Sequence, residues 1–384
     1  MKIINGVYTH ATIYTTNPPE NSVDSYALAQ LQALCDNPAF LDCNIKVMPD
    51  VHPGKVGTIG FTSTLGTKIL PNVIGIDIGC GMTLAIVKGK TKEFQKLDVV
   101  IRENVPSGFN IRKNAHHMAE DFDLSRLHCY KHISEQKALL SLGTLGGGNH
   151  FIELDKDEDN NIYLVVHSGS RHLGKEVTEY YLNEGQKFLK EKNIQIPYEL
   201  TYLEGELMNS YLHDLQVVQE FASLNREIII SQIVKGMKWK VLDSYSCIHN
   251  YIDFAAQMSK PDLANAIMRK GAISAKNGEK VIIPINMRDG IILGTGLGNP
   301  AWNYSAPHGA GRIMKRDDVK NHFTVSAFKN TMKGIYSTCI DKDTLDEAPF
   351  AYRDMDSIKA AISETVAIDK IIKPIYNFKA GNNN

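Results

Sequence analysis

Three strand-like apolar runs in this chain begin or end at a histidine. LGGGNHFIEL passes through His150, IYLVVHSG stops at His167 and SYSCIHNY stops at His249. Each histidine stands beside a small or polar residue, where a strand gives way to a loop. A lone histidine is more often structural than chemical. Three in the same local context point to one shared metal site, because zinc, manganese and related ions accept His, Cys and Asp together. A shared site requires these strand ends to meet.

The rest of the pattern is read around that requirement. Residues 23–35 have helical apolar spacing. Residues 43–90 are rich in glycine and β-branched residues and read as strands joined by tight loops. Residues 145–167 read as two strands joined by an acidic turn. The main helical stretch is 173–236. Strand-like runs return at 241–248, 271–275, 280–285 and 290–294, with Asn277-Gly278 as a hairpin turn. Residues 355–372 read as a last helix. No strand–helix alternation is evident, so a doubly wound parallel sheet is excluded. The expectation is an α+β fold: one domain over residues 1–384, a mixed or antiparallel β core and an inserted helical subregion at about 173–236.

Two further segments carry chemistry. VIGIDIGCGM reads as a strand entering a loop with Asp77 and Cys80, spaced by glycines that allow sharp turning. A carboxylate and a thiolate three residues apart can reach one metal or two adjacent ones. SAPHGAGRIMKR places His308 before Gly309 and Gly311, then Arg312, Lys315 and Arg316. A histidine among phosphate-binding groups can act as acid, base or nucleophile. The Gly143–Glu153 loop offers N–H groups to phosphate. No helix pattern follows it, so it is not a dinucleotide-binding fingerprint. His150 and Glu153, three apart, cannot share a face of an ideal strand.

Bulk properties limit the setting. The 42 basic and 43 acidic residues leave a net charge of −1, so any nucleic-acid binding needs a local basic cluster. The six cysteines form no CxxC pair and fit a reduced, cytoplasmic protein. No run of 18 apolar residues is present and residues 1–17 lack signal-peptide character, so no membrane association is expected.

Taken in order, MPDVHPG, DIGCGM, GNHFIE, HSGSR, HN, HGAGR and EAPFAYRDMD resemble the RtcB family of GTP- and manganese-dependent RNA ligases, over nearly the whole chain. The resemblance implies that Asp77, Cys80, His150, His167 and His249 hold two Mn²⁺ ions, with Zn²⁺ or Co²⁺ as other occupants and Cys80 as the bridge. It implies that His308 attacks the α-phosphate of GTP and carries GMP. Asn149, His150, Phe151, Ile152, Glu153, His249, Asn250, Asn286, Met287, Gly309, Ala310, Gly311, Tyr352 and Lys379 match the nucleotide site. Asp50 and His52 fall in a matching motif without an assigned role. The implied partner is RNA with a 3′-phosphate or 2′,3′-cyclic phosphate end and a 5′-hydroxyl end, joined by a monomer in repair or tRNA splicing. The alternative is a metal-dependent RNA-end phosphodiesterase that does not ligate. The sequence departs from the family at Pro284–Gly290, where Asn286 is expected to replace a serine contact and Arg288 to add a phosphate contact.

Overall fold

A computed structural model describes residues 1–16, 23–254 and 263–380. Two sheets dominate. One has seven strands, in the order Lys240–Ile248, Gly81–Lys88, Ile162–Ser168, Phe151–Lys156, Val366–Lys379, Gly290–Gly296 and Lys280–Asn286. Every neighbouring pair in it is antiparallel. The other has six, in the order Lys2–Asn5, His10–Ile13, Ile45–Pro53, Thr58–Thr64, Ile267–Lys270 and Asn250–Asp253. Its second and third strands pair in parallel. The architecture is α+β with a mixed β core, as expected.

Alternation along the strands covers both faces of the larger sheet. Ala85, Val87, Ile152, Leu154, Leu164 and Val166 meet Ile229, Ile230 and Ile233 of a 33-residue helix, Gly205–Met237. Met82, Leu84, Phe151, Tyr163 and Val165 face the other way, toward Ile283, Ile291 and Ile358. The helical subregion is thus the cover of one sheet face. It consists of two helices, Arg171–Glu191 and Gly205–Met237, and the two-residue strand Leu203–Glu204 between them.

The structure differs from the sequence reading in three places. Residues 355–372 are not one helix. The helix ends at Ala361, and Val366–Lys379 is a strand with a partner on each side. Its proline, Pro374, sits at a register shift, where a missing N–H is tolerated. Asn277-Gly278 is a turn but no hairpin. Ala272–Ser274 pairs with Ser305–Pro307, whereas Lys280–Asn286 pairs with Gly290–Gly296 across Met287–Asp289. The segment before Asp77 is a short helix, Pro71–Ile74, and the strand begins only at Gly81. Among the described residues, no helix is long and apolar enough to cross a membrane.

Two consecutive buried residues of the long helix hold the loops at one end of the sheet. Asn225 accepts from Gly143 N at 2.8 Å and Thr144 N at 3.1 Å, and donates to Ser168 Oγ and the Gly169 carbonyl at 3.0 Å each. Arg226, fully buried, donates to the carbonyls of Gly79 at 2.8 Å and Ser168 at 3.0 Å and to Thr83 Oγ1 at 3.0 Å. Gly79 adopts φ +70°, and a Cβ there would lie 2.9 Å from Ala222 Cβ, so the loop rests directly on the helix. Arg226→Ala removes these charged hydrogen bonds and strands their acceptors. It should cost roughly 3 kcal/mol. A denaturant midpoint within error of wild type would refute that role.

Candidate metal centre and nucleotide pocket

The strand register brings the candidate ligands together. Cys247, Met82, His167, Phe151 and Lys379 lie side by side across five adjacent strands. Cys80 precedes the strand carrying Met82, His150 precedes Phe151, and His249 follows Ile248. Antiparallel pairing therefore puts two strand starts and three strand ends on one edge. His150 lies outside its strand, so the alternation that separates it from Glu153 does not apply.

At this edge electron-rich atoms converge. Cys80 Sγ is 3.4 Å from both His150 Nε2 and His167 Nε2. His167 Nε2 is 3.4 Å from His249 Nε2, and His150 Nε2 is 3.0 Å from Asp77 Oδ2. His150 Nδ1 donates to the Leu145 carbonyl at 2.8 Å and His167 Nδ1 to the Asn149 carbonyl at 3.2 Å. Those bonds fix the tautomer and leave each Nε2 with a bare lone pair. His249 Nδ1 is buried without a hydrogen-bond partner.

Protonation states suit ligation. Burial, with the neighbouring imidazoles, pushes His167 and His249 well below the usual histidine range, so both rings are neutral at pH 7. Burial raises Asp77, but a protonated His150 outweighs it and holds the carboxyl down to about 2; a cation in the cluster takes the place of that proton and leaves the His150 Nε2 lone pair free. Burial and the Asp77 charge push the Cys80 thiol up, opposed by Arg226. A bound cation reverses that sign. Facing lone pairs, a thiol and a carboxylate this close repel one another unless a cation or protons lie between them. The donor set fits a divalent transition metal.

Beside this cluster opens a pocket lined by Asn149, Phe151, Glu153, His167, His249, Asn286, Met287, Tyr352 and Lys379, with His308 and Gly309–Gly311 on its wall. His308 follows the short strand Ser305–Pro307. Its ring centroid is 4.8 Å from that of His249. Its Nδ1 is 2.7 Å from Oδ2 of Asp50, a fully buried carboxylate. With Nδ1–H donated to Asp50, the neutral ring keeps its lone pair on Nε2. Sequence reasoning gave Asp50 no role, although MPDVHPG was noticed. The pairing joins residues 258 positions apart.

Three of the expected nucleotide residues do not line the pocket, and of these His150 stands in the Cys/His cluster. Ile152 points to the opposite sheet face, into the core beneath the long helix. Asn250 donates to the Asp77 carbonyl at 3.2 Å and accepts from Gly271 N at 3.0 Å, so it braces the ligand loop. Asn286 lines the pocket, but its side-chain oxygen accepts from Arg288 N and Asp289 N and so caps its own hairpin. Arg288 pairs with Asp289 at 2.8 Å. Two of the three basic residues after His308 are also engaged. Arg312 and Arg316 pair with Glu347, and Arg316 also with Asp346. Glu347 was not foreseen. It binds Lys379 at 2.9 Å and accepts from Tyr352 at 2.6 Å. Burial raises its carboxyl, but Lys379, Arg316 and Arg312 outweigh that and hold it far below the usual range.

Comparison with known proteins agrees with this geometry. The family model for the tRNA-splicing ligase RtcB matches residues 30–127 and 120–380. The chain belongs to the RtcB family. It is 31% identical to the RNA-splicing ligase RtcB of Escherichia coli K12, over 88% of this chain and 91% of that protein. It is 27% identical to RNA-splicing ligase RtcB2 of E. coli ATCC 25922, over 90% and 89%. It is 26% identical to the tRNA-splicing ligase RtcB of Nanoarchaeum equitans, over 85% of each chain.

Among the described residues, Cys80, His150 and His167 form a buried group whose ligand atoms all lie within 4.8 Å of one another. Replacing Cys80 with Ser should weaken Mn²⁺ or Zn²⁺ binding on the order of 10-fold or more. Equilibrium dialysis with metal analysis reads this. Undiminished binding would remove the thiol from the ligand set.

Proposed function

We propose that this RtcB-family protein is a GTP-dependent RNA ligase that joins RNA 3′-phosphate or 2′,3′-cyclic phosphate ends to 5′-hydroxyl ends. The observation that carries the proposal is His308, held through Nδ1 by buried Asp50 and set against His249 of the Cys/His cluster on the wall of one pocket. Asp77, Cys80, His150, His167 and His249 would hold two divalent ions, with Mn²⁺ as the natural choice. Bound there, the ions supply charge neutralisation for a triphosphate and alignment of the attack. The chain acts as one catalytic unit, a soluble monomer in the cytoplasm. Its relatives' names place such ligases in RNA splicing.

In this reading His308 Nε2 attacks the α-phosphorus of GTP. A phosphorus–nitrogen bond forms and pyrophosphate leaves. An RNA 3′-phosphate oxygen then displaces His308 and takes GMP as RNA–pp–G. A 5′-hydroxyl attacks the RNA phosphorus and GMP departs. A cyclic phosphate end is first opened by water to the 3′-phosphate. Asp50 keeps the His308 lone pair on the attacking nitrogen and stabilises the ring as charge develops, the task of the third residue in a hydrolase triad. Asn149, Phe151, Glu153, Met287, Tyr352 and Lys379 enclose the nucleotide. The carboxylate of Glu153 is suited to accept from the N–H edge of guanine.

Labelled GTP with Mn²⁺ should yield a covalent GMP adduct that His308→Ala abolishes. Asp50→Asn should slow its formation on the order of 10²-fold or more, with metal content intact. No adduct in wild-type protein with any divalent ion refutes the assignment. Opening of cyclic phosphate without joining would instead support the phosphodiesterase alternative.

Glu153 adds a pH test. Its burial raises the carboxyl to about 7, against the hydrogen bond from Asn377 and the charge of Lys379. It is ionised, and able to accept from guanine, only above that value. GTP affinity should therefore strengthen as pH rises from 6 to 8, and the trend should vanish in Glu153→Gln. A wild-type titration that is flat over this range would exclude Glu153 from base recognition.

A further inference from the structure

Among the described residues, one large apolar side chain stands out from the others on the surface. Phe109 is 93% exposed. Its loop is nevertheless tied down. Leu145 N donates to the Pro106 carbonyl at 2.9 Å, and Gly108 N donates to the Gly146 carbonyl at 2.9 Å. Arg171 donates to the Gly108 carbonyl at 2.8 Å, and Arg112 N to the Leu140 carbonyl at 2.9 Å. The segment it lies on, Leu145–Gly148, runs directly into Asn149 and His150. Phe109 is therefore presented to solvent by a loop hydrogen-bonded to the segment that leads into the metal and nucleotide site.

A basic groove lies along the same loop. It is lined by Arg112, Lys113, His117 and Lys235, with Glu103 as its acidic member. Arg112 spends its guanidinium on the carbonyls of Leu142, Asn104 and Gly143, so it contributes charge but few free donors. Lys113 and Lys235 are exposed, and among the described residues neither forms an ion pair. Of the cations after His308, Arg312 and Arg316 are matched by Asp346 and Glu347, whereas Lys315 is exposed and, among the described residues, in no ion pair. In a chain of net charge −1, this groove offers unpaired positive charge on the loop that carries Phe109.

We propose that Phe109 is a stacking platform for a nucleobase of single-stranded RNA near the end to be joined, and that Lys113 and Lys235 guide the adjoining phosphates. The inference rests on the RNA-ligase reading above. An exposed ring on a fixed loop suits an unpaired base, because every base has a π-face and stacking tolerates any sequence. A base inside a duplex keeps its faces against its neighbours and cannot be reached this way.

The test uses the full chain and two dye-labelled single-stranded RNA decamers, one ending in a 3′-phosphate and one beginning with a 5′-hydroxyl. Phe109→Ala should weaken binding of at least one of them roughly tenfold. Phe109→Trp should retain that binding, with indole fluorescence quenched as RNA is added. Lys113→Ala with Lys235→Ala should reduce the slope of log affinity against log salt by about 1.4, that is about 0.7 for each of two phosphates. The GMP adduct should form as in wild type in all three variants. Affinities of Phe109→Ala within twofold of wild type for both decamers would overturn the platform. An unchanged salt slope would overturn the groove. Absence of the adduct in wild-type protein would remove the ligase reading alone, since RNA binding is measured separately.

Discussion

The Arg226 guanidinium, buried on the long helix with Asn225 beside it, is the interaction on which the site depends. Its donors reach Gly79, Ser168 and Thr83, while Asn225 reaches the 143–144 and 168–169 loops. These are the loops that carry Asp77 and Cys80 and that lead to His150 and away from His167. Glycine-rich loops have little stiffness of their own. A charged, fully desolvated clamp supplies it, because the penalty for leaving such a group unpaired is large. The positive charge also faces the thiol and carboxylate it positions and opposes the upward push of burial on Cys80.

The sheet then sets which residues meet. In an antiparallel sheet neighbouring strands alternate in direction, so starts and ends share an edge. Cys80 and His150 stand before strand starts, whereas His167, His249 and Lys379 stand at or after strand ends. One register aligns them all. The edge concentrates lone pairs and anionic groups to a degree that only cations or protons can balance. Across the pocket, Asp50 and His308 form a separate pair supplied by the smaller sheet and the Ser305–Pro307 ribbon. Metal ligands and nucleophile thus come from different layers of the fold and meet at His249 and His308, with the pocket opening beside both.

Much of this was legible in the residues. Histidines at strand boundaries, Asp77 and Cys80 among glycines, and His308 before Gly309 mark chemistry through local context, which sequence displays directly. The order of the motifs marked the family. Less legible were the groups that work through long-range pairing. Asp50 is defined by its contact with His308, and Glu347 by its contacts with Lys379, Tyr352 and two arginines. No local pattern distinguishes such a carboxylate from a solvated one. The engagement of Arg316 was hidden for the same reason, since its partners lie about thirty positions away.

By itself the sequence determined the strands at 145–167, 280–285 and 290–294, the absence of strand–helix alternation and the residue types of the site, because periodicity, glycine placement and side-chain chemistry are local properties. Tertiary structure decided that residues 366–379 form a strand, that Ile152 faces the core while Glu153 faces the pocket, and that Asn250 braces a loop. Those outcomes follow from register and from which face is covered, and both are fixed only when distant segments pair.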